Sequence, residues 1–494
     1  MQLIYISDGR TVRAHHRSGT RAWTVLAALV ALAASIVLIA PLSAQAQERT
    51  VRNVVYITTN DPTRNQNAVL AFNRNADCSL NFLGRFQMRG TGVGNPNFRL
   101  GTLDSDQSLV VSPDRRFLFA VNSGSDTIAV FSIRRDGTLR HVPGSPFPSG
   151  GHFPATVGFL STDDDDDDRD SDSDSDRNRN RRKRDTIGFL FVAHKNEVPG
   201  EDPRDFPRPN YTSFRVNSDG SLTQIPGSTI RVPQGSSPTQ TLVSNDGRFV
   251  FSTDLLVDFP RDFFPTDGFP AAPGAGGGGT LRSFVIRNNG RLDPNAPIRL
   301  PGPDANFPDP LGLLSGTQHI SGTTNGALGL QDHPTRNILY VGFPLRFQLG
   351  VYTWNRQTGE LRFRNVVGNS GQVICWVQVS EDGRFLYTTN QLDSTVSAYS
   401  LSDPLNPVEI DFEDLRLASG ATMGGLASQE ALTPNGRCLY AIEQRITDAA
   451  QDGSANALHI LRTANGNLSE PFAPFNLADL GVSRTARPQG IAAF

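Results

Sequence analysis

From residue 52 onward one pattern of apolar and polar positions keeps returning: a turn, an apolar run ending in Asn or Asp, a second β-branched or aromatic run, and a Gly-containing turn. Val111-Ser-Pro-Asp-Arg-Arg-Phe-Leu-Phe-Ala-Val-Asn122 leads to Thr127-Ile-Ala-Val-Phe131 and Asp136-Gly-Thr-Leu139. Val379-Ser-Glu-Asp-Gly-Arg-Phe-Leu-Tyr-Thr-Thr-Asn390 leads to Thr395-Val-Ser-Ala-Tyr399, and Val243-Ser-Asn-Asp-Gly-Arg-Phe-Val-Phe-Ser-Thr-Asp254 leads, after an insertion, to Leu281-Arg-Ser-Phe-Val-Ile286. Thr433-Pro-Asn-Gly-Arg-Cys-Leu-Tyr440 precedes Ala457-Leu-His-Ile-Leu461. Weaker copies begin at Val54, Phe189 and Ile338, which makes seven. Self-similarity of this kind is the signature of a repeat architecture.

Each copy reads as a four-stranded antiparallel sheet, because the Asp-Gly or Asn-Gly step permits the positive-φ hairpin turn and strand-forming residues flank it. One such sheet cannot bury both its faces. Packing seven of them around an axis does so and leaves only short edges, so the pattern predicts an all-β, seven-bladed β-propeller. A Pro-x-x entry to the innermost strand precedes the strong copies, as in Phe153-Pro-Ala-Thr and Ser237-Pro-Thr-Gln. The final Arg487-Pro-Gln-Gly-Ile-Ala-Ala-Phe494 has the form of that entry with no blade after it. The expectation is that this tail supplies the inner strand of the blade begun at Val54.

Composition agrees with strands and turns: 37% hydrophobic, 19% charged, 46 Gly, 33 Pro, and 30 Phe against 3 Met. A helical bundle or coiled coil is excluded on that basis. A net charge of −3 provides no basic field for nucleic acid. The first 46 residues read as a secretory signal peptide: Arg10, Arg13, Arg17 and Arg21 precede the apolar run Trp23 to Ala40 and the small-residue site Ala44-Gln45-Ala46. Residues 47–494 then form the propeller, secreted or periplasmic, with no membrane association after cleavage. Two inserts interrupt it. Residues 161–185 carry Asp163 to Asp168 and the basic run Arg177 to Arg184, the composition of a disordered loop. Residues 255–279 combine Phe-Pro steps with Gly276 to Gly279, the composition of a long surface loop.

Three cysteines, Cys78, Cys375 and Cys438, permit at most one disulfide. Cys375 and Cys438 lie in apolar runs and read as buried small hydrophobes rather than a bridge, so the fold is expected not to rest on disulfides. Metal-type spacings of His and Cys, phosphate-cradling Gly-Lys loops and nucleophile elbows do not occur, and no cofactor or metal is expected. Each of the six His residues after the leader reads as a loop or turn residue.

The phrases Phe119-Ala-Val-Asn-Ser-Gly-Ser-Asp-Thr-Ile-Ala-Val-Phe131, Ser-Pro-Asp-Arg-Arg-Phe-Leu-Phe and Ser-Glu-Asp-Gly-Arg-Phe-Leu-Tyr resemble the YVTN-type repeats of the lactonase-type seven-bladed propellers. That family includes 6-phosphogluconolactonases and carboxymuconate cyclases. The resemblance spans residues 52–494 and implies the fold together with a lactone-opening or lactone-forming activity. Members usually show Pro-His before the middle blade, where this chain has Pro238-Thr239-Gln240, and Asp-Leu-Gly after its second strand, where it has Asp254-Leu255-Leu256. Asn196-Glu197, after Phe191-Val-Ala-His194, corresponds to a family Asn-Glu pair displaced by two residues, and Thr389-Asn390-Gln391 stands where Ser-Asn-Arg is usual. Carried over, Glu197, His194 and Asp254 are the expected catalytic groups. Arg346, Arg487, Gln240 and His152 are the expected substrate-binding groups. The ligand is then a small lactone or organic acid; the other class open to this sequence is a non-catalytic propeller that binds an extracellular protein or glycan. A strand-end Asp or Asn can equally serve to bond neighbouring backbone turns.

Overall fold

The computed structural model of the protein describes residues 53–93, 105–162, 186–195, 207–233, 236–254, 280–299, 327–344, 347–419, 424–445 and 455–494. Residues 1–52, which include the expected signal peptide, residues 163–185 of the first insert, the whole of 255–279, Glu197 and Arg346 lie outside the described residues.

The described strands form seven antiparallel sheets, each running from an innermost to an outermost strand. Blade two shows the plan with Leu109–Val111, Phe117–Asn122, Thr127–Ile133 and Leu139–His141. The repeated phrase is the turn between its first two strands. The amides of Phe117, Phe249, Phe385 and Cys438 donate to the hydroxyls of Ser112, Ser244, Ser380 and Thr433 at 3.0 to 3.1 Å. Those hydroxyls donate in turn to Asp114, Asp246, Asp382 and Asn435. The next residue must take positive φ: Gly383 does so at 67°, and Arg115 adopts 56° in the copy that lacks the glycine.

The hairpin turns between the third and fourth strands lock each blade to its predecessor. A Cβ on Gly290 would lie 2.2 Å from the Phe189 ring, so only glycine admits that close approach. Apolar layers then fill the gaps between successive blades, for example Phe119, Val130, Val157 and Leu190 between blades two and three. The same burial continues across the closure, where Val55, Ile57 and Phe72 of blade one meet Tyr440, Ile442 and Leu458 of blade seven.

The tail closes the ring as its sequence implies. Ile491–Ala493 pairs antiparallel with Val54–Thr58 in the register Ile57↔Ile491 and Val55↔Ala493, becoming the innermost strand of blade one. The Val54 amide and the Phe494 carbonyl extend that ladder at 2.8 Å. One expectation is corrected at this seam. Cys438 is not merely a buried hydrophobe: it forms a disulfide with Cys78, across 360 residues, and so joins blade seven covalently to blade one. Cys375 is buried and unbridged, as its apolar run implies.

Candidate functional site on the loop face

Antiparallel alternation puts the ends of all seven second strands, and the starts of all seven innermost strands, on one face of the ring. Asn122, His194, Asp254, Phe343, Asn390 and Gln444 end second strands there. The chain also leaves this face after Asp254 and returns to it at Thr280, the span of the second insert.

Two of the family-derived residues on this face are inward structural groups. Asp254 is fully buried and holds Arg282, whose Nη2 and Nε lie 2.6 and 2.8 Å from its Oδ2, while Thr280 donates to the same oxygen at 2.5 Å. Oδ2 is thus committed to an interior ion pair, while Oδ1 is buried without a hydrogen-bond partner. Gln240 is equally committed: its side chain donates to the Leu330 carbonyl at 3.0 Å and accepts from the Leu330 amide at 2.6 Å, clamping blade four to blade five. Asn390, in the displaced Ser-Asn-Arg position, bonds Asn369, Thr395 and Ser397.

His194 ends the strand Thr186–His194, not a loop, and is fully buried. No hydrogen bond of ordinary length and angle reaches either ring nitrogen, and Gly151 lies against the ring with no room for a side chain. Burial outweighs the acceptors of Asn210 and Ser149 and pushes its pKa down to about 4, so the ring is neutral at physiological pH and shielded from solvent. Arg487 is 2% exposed in the closing tail. These four residues therefore sit inside the structure instead of converging on an open cleft.

His152 differs. It precedes the inner strand Pro154–Ser161, is about half exposed, and has Nδ1 2.8 Å from Oδ2 of Asp126, in the turn after Asn122. The other Asp126 oxygen accepts the Phe153 amide at 2.8 Å, which fixes the carboxylate against the loop that carries the imidazole. A carboxylate on Nδ1 sets the tautomer and leaves Nε2 available to take a proton from an incoming group. Asp126 was invisible as a site residue because its Ser-Asp-Thr context reads as an ordinary hairpin turn.

The axis of the ring is closed by residues 105–106. The Ser105 carbonyl accepts from Nε1 of Trp376 in blade six at 3.1 Å, from Nε2 of Gln489 in the closing tail at 3.0 Å, and from Nε2 of Gln429 in blade seven. Its hydroxyl donates to the Ala155 carbonyl of blade three at 3.1 Å, and the Asp106 amide donates to Thr239 of blade four at 2.8 Å. One dipeptide thus touches five blades.

A third polar cluster lies inside blade seven. His459, within the strand Ala457–Ala464 rather than in a loop, has Nδ1 2.8 Å from Glu470 and Nε2 3.5 Å from Glu443, and all three side chains are buried. Burial alone would lower the imidazole pKa, but the hydrogen bonds and charges of the two glutamates outweigh it and raise it to about 9. Because the folded pKa exceeds the unfolded value of ~6.5, the ion cluster stabilises fully below that value and loses its contribution as pH rises through 9. An NMR titration is expected to place the His459 ring midpoint near 9, and a midpoint at or below 6.5 would contradict the assignment.

No protein-family model and no curated protein sequence matches the chain. Solved structures do. The periplasmic gluconolactonase PpgL of Pseudomonas aeruginosa aligns with a TM-score of 0.52 at 16% identity, covering 89% of this chain and 99% of that one. A Bacteroides uniformis protein provisionally assigned as a 6-phosphogluconolactonase aligns at 0.51 and 15% identity, covering 86% and 97%. A hypothetical selenium-binding protein of Sulfolobus tokodaii aligns at 0.54 and 12% identity, covering 90% and 93%. At such identities the likeness is one of fold, which hosts more than one function. The chain has the seven-bladed propeller fold of the lactonase-like proteins.

Proposed function

We propose that the mature chain is an exported lactonase that opens a sugar-acid or muconate-like lactone on the loop face, with His152 as general base. The observation that carries this reading is the 2.8 Å contact that fixes the His152 imidazole on the Asp126 carboxylate while leaving the ring half exposed. In this scheme His152 Nε2 takes a proton from water as the water oxygen attacks the lactone carbonyl. The resulting imidazolium returns the proton to the ring oxygen as the acyl–oxygen bond breaks, and the product is the open hydroxy acid. Glu197 and Arg346 are the candidates from sequence for a second carboxylate and for a cation that receives the product carboxylate.

The reading draws on the neighbours' descriptions, a periplasmic gluconolactonase among them. Export is supported by the leader and by the Cys78–Cys438 bond, since disulfides persist in oxidising compartments. Among the described residues no helix is long and apolar enough to cross a membrane. The test is hydrolysis of a lactone panel followed by base uptake. His152→Ala is expected to lower kcat/KM by about 10²–10⁴-fold, the usual worth of a positioned general base.

A further inference from the structure

The axial plug leaves a chemical debt that the proposed hydrolysis does not use. Glu430, on the innermost strand Leu426–Leu432 of blade seven, is 3% exposed, and neither carboxyl oxygen has a hydrogen-bond partner. The preceding residue, Gln429, bonds Ser105, and the residue after Ser105 is Asp106, 7% exposed. The 105–106 segment thereby lies against the strand that carries Glu430, with Asp106 near enough for its charge to act on that carboxyl. Burial first, then the Asp106 charge, raises the Glu430 pKa well above the carboxylate range, while burial raises that of Asp106 to about 7 against the Gln107 amide, which donates to its Oδ1 at 2.7 Å. Two more oxygens of the same segment, Gln107 Oε1 and Ser108 Oγ, are also buried without partners.

An interior carboxylate without a donor must find a proton, a water or a cation. A shared proton satisfies one acceptor, whereas hard divalent cations gather six to eight oxygens from carboxylates, amides and carbonyls. We propose that Asp106 and Glu430 bind one hard divalent cation beside the propeller axis, completed by neighbouring amide, hydroxyl or carbonyl oxygens of the 105–108 segment. The cation tethers blade seven to the plug.

Terbium and calcium test this in the full mature chain stripped with chelator. Trp376 donates to Ser105, so terbium at this site is excited through tryptophan, and the emission is expected to saturate at one ion per chain and to be displaced by calcium. Glu430→Gln is expected to cut the emission at least tenfold. Changing Asp163 to Asp168 to Ser, which removes the acidic run of the insert, is expected to leave it intact. Calcium is expected to raise the melting temperature of the wild type but not of Glu430→Gln, and in chelator the variant is expected to melt no lower than the wild type, because it replaces a buried carboxyl that has no hydrogen-bond partner. Emission unchanged in Glu430→Gln, emission lost with the acidic run, or a wild-type melting temperature indifferent to calcium would each overturn the proposal and leave the pair sharing a proton.

Discussion

Replacing both Cys78 and Cys438 by Ala is expected to lower stability by about 3–5 kcal/mol, because their bond closes a loop of 360 residues in the unfolded chain. For a chain of this size that is a fall of roughly 5 °C in melting temperature. The position of the bond makes the effect specific. It lies at the one seam where the ring is held by a strand from the far end of the chain, Ile491–Ala493 on Val54–Thr58. Removing residues 487–494 attacks the same seam without touching the bond, and the two losses are expected to exceed their sum when combined, since either closure holds blade one against blade seven. Melting of the oxidised, the double-alanine, the truncated and the combined proteins checks this. A double-alanine variant that melts with the wild type would contradict the staple, and strict additivity would contradict the shared seam.

Arg282→Ala is expected to cost about 3–5 kcal/mol, since it strands the fully buried Asp254 carboxylate in a low-dielectric interior. The double change Arg282→Met with Asp254→Leu removes both charges and is expected to recover most of that loss, because an interior ion pair contributes little beyond an apolar pair of similar volume. Denaturant unfolding of the single and double variants measures the coupling. A single variant within about 0.5 kcal/mol of wild type would place Asp254 in contact with solvent and restore it as a candidate acid.

The contrast between Asp254 and His152 marks where the chain could be read and where it could not. The blades were legible because their turn chemistry is local: a Ser or Thr hydroxyl, an Asp or Asn two residues on and a positive-φ residue lie within four consecutive positions, so Ser380 to Gly383 announces its own hairpin. Closure was legible because Arg487-Pro-Gln-Gly repeats the entry to an inner strand. The disulfide was not, since only the closed ring brings Cys78 and Cys438 to a Cα separation of 5.5 Å. The site suffered from the same locality. Motif matching picks residue types at strand ends, but whether a strand-end acid meets solvent depends on a partner from the next strand, as Arg282 shows for Asp254. Asp126 and His152 come from loops 26 residues apart, and the Asp106 charge acts on Glu430 from the other end of the sequence. No spacing rule reports either pair.

The measurement that bears most directly on the account is base uptake at constant pH by the purified chain of residues 47–494, with sugar-derived, aliphatic and muconate-derived lactones, run beside His152→Ala and Asp126→Asn. The account predicts turnover of at least one lactone by the wild type, its near-complete loss in His152→Ala and a smaller loss in Asp126→Asn, which keeps an acceptor for the Phe153 amide but not the charge that orients the imidazole. Turnover unaffected by either substitution would move the chemistry away from this pair, and no turnover of any lactone by the wild type would contradict the proposed activity itself.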